Sequence, residues 1–160
     1  MQSLLRAAGL AAILCAASLS SASAEDPFYL GQWKITGAVP GPWIKSDAEL
    51  FPDEMKSLVG QTIVLKPGAV EGPGGFPCQG PKYEVMQGGP DMLFQGAFGE
   101  MQAKNASVDP QKLAEQVGLT GTAYRTVITG CEFAVDFSFG ADNDTAMFAL
   151  DNAVYVLKRQ

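Results

Sequence analysis

Cys131-Glu132-Phe133-Ala134-Val135-Asp136-Phe137-Ser138-Phe139 changes character at almost every step. Phe133, Val135, Phe137 and Phe139 share one face with Cys131 in phase, and Glu132, Asp136 and Ser138 share the other. Successive side chains of a strand point to opposite faces, so this stretch predicts a strand with one buried and one polar side. Strand chemistry recurs in Tyr29–Ala38, Gln61–Lys66, Tyr83–Met86, Met92–Phe98, Thr122–Thr129, Thr145–Leu150 and Ala153–Arg159. Turn-forming clusters separate these segments: Val39-Pro40-Gly41-Pro42, Gly72-Pro73-Gly74-Gly75, Gly88-Gly89-Pro90 and Asp142-Asn143-Asp144. Between the last two segments, Asp151-Asn152 suits a two-residue hairpin turn, because both residues tolerate positive φ.

Two short helices interrupt the strands. Asp109 can cap Gln111–Val117, with Pro110 at the first helical position and Gly118 ending it in a left-handed conformation. Pro52 to about Val59 forms the other, closed by Gly60, with Asp53 and Glu54 at its positive end. Eight strands joined by short turns predict an all-β, small antiparallel sheet. Closing it into an eight-stranded barrel removes its exposed edges.

The beginning of the chain reads as an export signal. Arg6 supplies positive charge, Ala7 to Leu19 is apolar, and Ser20-Ser21-Ala22-Ser23-Ala24 places small residues at a cleavage site. About 13 apolar residues fall short of the ~20 that span a bilayer, so no stable membrane anchor is expected after cleavage. Residues 1–24 are thus read as a signal peptide and 25–160 as a single β-barrel domain, periplasmic or secreted. Losing Arg6 takes the formal charge from −6 to −7. Cys15 leaves with the signal, so Cys78 and Cys131 remain in an oxidising compartment and are expected to form a structural disulfide. Closing a loop of about 50 residues stabilises by ~4 kcal/mol in the chain-entropy account.

Composition narrows the chemistry. The chain has no histidine, which removes Ser-His-Asp and Cys-His nucleophile systems and His-ligated metals. With 17 acidic against 11 basic residues it lacks the positive charge a general nucleic-acid binder needs. Asp142-Asn143-Asp144 opens like a calcium loop, but the required Gly and terminal Glu do not follow in register. The glycines at Gly72-Pro73-Gly74-Gly75 lack the Lys-Ser/Thr of a phosphate cradle. No catalytic group, cofactor or metal is expected.

Gly31-Gln32-Trp33 on the first strand and Lys158-Arg159 on the last resemble the end pattern of the calycins. That superfamily contains the lipocalins, the fatty-acid-binding proteins and bacterial protease or lysozyme inhibitors. The resemblance implies a calycin-like barrel in which the Trp33 indole packs beside Arg159, or beside Lys158 in another register. Such a contact would tie the chain ends together and help to close the barrel.

Three other residues are candidate contacts. Trp43 follows the stiff Pro40-Gly41-Pro42 loop, where it either meets a ligand or partner or lids the core beside Phe51 and Leu58. Tyr124 and Arg125 lie on opposite faces of one strand, so at most one lines an interior. The expected function is a non-enzymatic exported binding protein that encloses or caps a small apolar ligand. The alternative is an inhibitor of a lytic enzyme, such as a lysozyme or protease, acting through its surface. Its acidity would then favour a basic protein partner.

Overall fold

A computed structural model describes residues 27–45, 52–133 and 135–160, so the expected signal segment and Phe51 lie outside the described residues. The elements are β1 (Gly31–Pro40), α1 (Pro52–Leu58), β2 (Thr62–Lys66), β3 (Ala69–Glu71), β4 (Cys78–Gln79) and β5 (Glu84–Gly88). After a 3-10 turn at Pro90–Met92 come α2 (Leu93–Lys104), α3 (Pro110–Gln116), β6 (Tyr124–Ile128), β7 (Phe137–Phe139), β8 (Thr145–Leu150) and β9 (Ala153–Arg159). The strands form one 9-stranded antiparallel sheet in the order β4-β3-β2-β1-β9-β8-β7-β6-β5.

That order forces the sheet to curl. β4 and β5 are its two edges, yet only Gly80 to Tyr83 connects them. So short a connection reaches at most about 17 Å, whereas nine flat strands would span about 38 Å. The sheet is therefore a half-barrel, and its class is all-β as the alternation implies. Val70 of β3 and Val127 of β6 stand far apart in the sheet but share one hydrophobic cluster, which only the concave face allows.

Two contacts hold the curled sheet, one between its edge regions and one at its centre, where β1 pairs with β9. Cys78 on β4 is bonded to Cys131 just beyond β6, with Cα atoms 6.1 Å apart at a sequence separation of 53. Among the described residues no ladder joins β4 to β5, so sulfur links the edge regions where backbone hydrogen bonding stops. At the chain ends, Trp33 on β1 is the Cα partner of Arg159 on β9. The guanidinium lies 4.3 Å from the indole centre. It also donates to the carbonyls of Leu30 (2.8 Å), Asn143 (3.2 Å) and Phe28. Lys158 instead donates to the Thr145 hydroxyl at 2.5 Å.

Both faces of the central strands are covered. On the concave side, Trp33, Ile35, Phe137, Phe139, Phe148 and Leu157 are at most 1% exposed. A column of rings crosses it, with Phe76 5.2 Å from Phe133 and 5.3 Å from Phe148, and Phe148 stacked on Tyr155 at 4.9 Å. On the convex side, Tyr124, Met147 and Val154 meet Leu93 and Phe98 of α2, Ala114 of α3 and Val117 just after it. A bulge between Ile35 and Gly37 switches the phase of β1, so that Ile35 faces the first cluster and Val39 the second.

Three local expectations change. Met92–Phe98 is not a strand: the chain turns at Pro90 and enters α2, burying Leu93, Phe94 and Phe98. Within the nine-residue alternating stretch only Phe137–Phe139 pairs among the described residues, and Cys131 lies outside the ladder, bonded to Cys78. Ser138 is buried rather than exposed, its hydroxyl 3.5 Å from that of Thr126. The short strands β3 and β4 replace the lost one and add another. By contrast, Asp109 caps α3 through the Gln111 amide at 2.9 Å, with Gly118 at φ 93° beyond it. The β8–β9 hairpin also turns at Asp151-Asn152, with Asp151 at φ 53° and Leu150 paired to Ala153.

Replacing both cysteines (C78S/C131S) should lower unfolding free energy by about 4 kcal/mol in urea titrations. Reductant should bring the native chain down to the same midpoint and leave the double variant unmoved. At the other tie, R159K keeps the charge but loses the planar fork that serves several carbonyls. It should cost about 2 kcal/mol in the same titration.

Candidate functional site

A cleft of 280 Å³ opens on the convex side, between β5–β6 and the turn that leads into α2. Met86, Thr126 and Ile128 supply the sheet wall and Met92, Leu93, Gln95 and Gly96 the facing wall, with Tyr124 and Asp136 also lining it. Local sequence explains the shape. A Cβ on Gly88 would sit 2.5 Å from the Met92 sulfur, so glycine there lets the methionine lie across the end of β5. Gly99 likewise lets α2 approach the backbone carbonyl of Asp91, which a Cβ would meet at 2.9 Å.

The facing wall is strained. Phe94, Gln95 and Gly96 have φ of 52°, 60° and 84°, three consecutive left-handed residues inside a helical segment. A bulky residue rarely adopts that conformation, which costs roughly 1–2 kcal/mol per non-glycine position. Ring packing holds the kink, with Phe94 5.2 Å from Phe98 and 5.9 Å from Trp43. The kink brings the Gln95 amide to the carboxylate of Asp136, with which it hydrogen-bonds. Burial pushes the Asp136 carboxyl above its ordinary range, and the Gln95 bond only partly offsets that. A second depression, lined by Phe94, Gln95, Asp136, Ala149 and Asp151, continues beyond this pair.

The residues singled out from sequence fall into separate places. Trp43 neither lids the first core nor stands free: half-buried, it packs on Phe94 and Phe98 in the outer layer. Leu58, its expected neighbour, belongs to the other cluster. Tyr124 is buried in the same outer layer as Trp43, and its hydroxyl donates to the Gly121 carbonyl at 2.6 Å. Arg125 points the opposite way and lies 3.8 Å from the centre of the Phe28 ring. Trp33 and Arg159 meet on the adjacent central strands β1 and β9 rather than across a seam between sheet edges, away from the cleft's lining.

Asp142 closes a turn, accepting from the Thr145 hydroxyl (2.9 Å) and from the amides of Thr145 (3.1 Å) and Asp144 (3.2 Å). Burial opposes its charge, but these bonds and the nearby Lys158 outweigh that and hold its carboxyl below the ordinary range.

Sequence reading missed Met86, Met92, Gln95 and Asp136 as a group. The period-two pattern did place Asp136 on the face opposite Phe137, which is the convex side. The chemistry assembled here is a half-buried carboxylate, an amide, a phenol ring and two thioethers. It is suited to holding an apolar group with a polar or cationic end. No protein-family model, curated protein or solved structure matches the chain.

Replacing Asp136 by Asn tests its environment. A carboxyl raised by burial keeps its proton to higher pH in the folded chain than in the unfolded one. Stability is therefore lost as pH rises from the unfolded value, near 3.9, through the folded value, and stays lower at neutrality. D136N removes that loss. Thermal melts should show the variant a few degrees more stable at pH 7 and level with the native chain at pH 3.

Proposed function

We propose that this chain is an exported, non-catalytic recognition module that binds a basic protein partner through its convex surface. Inhibition of a lytic enzyme, such as a lysozyme or protease, is the concrete form of that activity. One observation carries the reading: the concave side, where a barrel would enclose a ligand, is packed with side chains of which Ile35, Phe139, Phe148 and Leu157 have 0% exposure. Two accessible concavities among the described residues lie outside, against α2. The disulfide is compatible with export. A charge of −7 over residues 25–160 would speed encounter with a basic surface. The curled sheet and the Trp33–Arg159 contact support a calycin-like assignment, within which inhibitors of such enzymes are found.

A second reading, a small apolar ligand, is favoured by Met86, Met92, Leu93 and Ile128 in the cleft wall. The two separate in one set of assays. A basic lysozyme and a basic serine protease are incubated with excess mature chain at low and high salt. Saturable loss of activity with either, weakening as salt screens the charges, is the expected result. Full activity with both enzymes, together with a co-purified small molecule in native mass spectrometry, would instead establish the second reading.

A further inference from the structure

The structure's outer cleft carries a distinctive charge pattern. Asp91 and Asp136 line the main depression, and Asp136 and Asp151 line its continuation. No lysine or arginine lines either one among the described residues. Asp136 is the shared wall, half-buried between an apolar floor and the Gln95 amide. A carboxylate has lone pairs for more than one donor, so the Gln95 bond leaves acceptor capacity facing the cleft. Met92, 44% exposed, and Met86, 37% exposed, present flexible thioether chains that can wrap an aliphatic stem.

We propose that this cleft is the subsite for one basic side chain of the partner, its aliphatic stem against Met86 and Met92 and its cationic head on Asp136. Lysine and arginine both combine such a stem with such a head, and burying the stem while pairing the head uses every surface present. A neutral apolar occupant would leave the Asp136 charge desolvated and unpaired, which is unfavourable. A second copy of this acidic chain is disfavoured by like charge. The proposal rests on the recognition reading above and names its point of contact.

The test uses mature chain labelled with ¹³C at the methionine methyls, titrated with hexylamine, hexanol and hexanoate as probes. Hexylamine should shift the Met86 and Met92 methyls and bind at least about 5-fold tighter than hexanol, with hexanoate weakest. In D136N, whose fold is checked by the unchanged remaining methyls, hexanol binding should persist and the preference for the amine should vanish. Equal binding of amine and alcohol, shifts confined to other methionines, or a preference that survives D136N would each overturn the assignment. So would shifts that depend only on protein concentration, which would mark self-association.

The enzyme assays keep the two levels apart. Inhibition of a basic enzyme that D136N leaves intact would sink the subsite and spare the recognition reading. An Asp136-dependent amine preference with no enzyme inhibited would spare the cleft chemistry and sink the inhibitor form.

Discussion

A sulfur–sulfur bond stands where a hydrogen-bonded ladder would otherwise have to close the ring. Because β4 and β5 follow one another in the chain yet form opposite edges, every strand between them must bend around a common interior. Cys78 and Cys131 hold that bend covalently, one on the edge strand and one beside the far edge. Their bond sets how the concave side is filled. Phe76 and Phe133, each near one of the cysteines in sequence, meet at 5.2 Å and pass the packing on to Phe148. The same crossover explains the exposed character of β5. It pairs with β6 on one side and, among the described residues, with no strand on the other.

At the centre of the sheet, where β1 pairs with β9, the fixing contact is electrostatic rather than covalent. Arg159 sits on the Trp33 ring and donates to carbonyls of both the entry segment and the β7–β8 turn. Three chain segments distant in sequence thereby share one cation. Its exposed ion pair with Asp144, at 3.5 Å, adds little, because solvent screens it. The fork of directed hydrogen bonds and the ring contact do the fixing, which is why arginine suits the position better than lysine. Phe28 also packs here, 5.1 Å from Phe139, with the Arg125 guanidinium 3.8 Å from the centre of its ring.

Much of the fold was legible because its local signals agree with its tertiary needs. Asp151-Asn152 marks a hairpin, and Asp109-Pro110 with Gly118 marks a helix, by chemistry that acts within a few residues. Met92–Phe98 misled because Phe94 and Phe98 are four apart, a spacing that serves both a strand face and a helix face. Ser138 misled because alternation reports two faces and cannot tell that α2 and α3 bury part of the polar one. The strands Ala69–Glu71 and Cys78–Gln79 are too short to carry a period. The site depends on three successive positive φ values, and nothing local at Phe94 announces such a conformation. It goes with a long-range contact, the packing of Phe94 and Phe98 on the Trp43 ring.

Strain and desolvation meet at one place on this surface. The left-handed turn at Phe94–Gly96 and the burial of Asp136 each oppose folding, and each would be relieved by an ordinary helix start or a neutral side chain. Elsewhere α3 is capped and the β8–β9 hairpin is matched, and the one further cost of this kind among the described residues is at Asn143, whose buried Oδ1 has no hydrogen-bond partner. Two unfavourable features that touch through a single Gln95 bond need an interior that can sustain them, and the packed aromatic core with its covalent closure provides it. Such a concentration of cost marks functional surfaces more often than structural ones. It also separates the labour of the two sheet faces. Among the described residues the concave face is filled by buried rings, while the convex face keeps an apolar recess beside the Asp136 carboxyl.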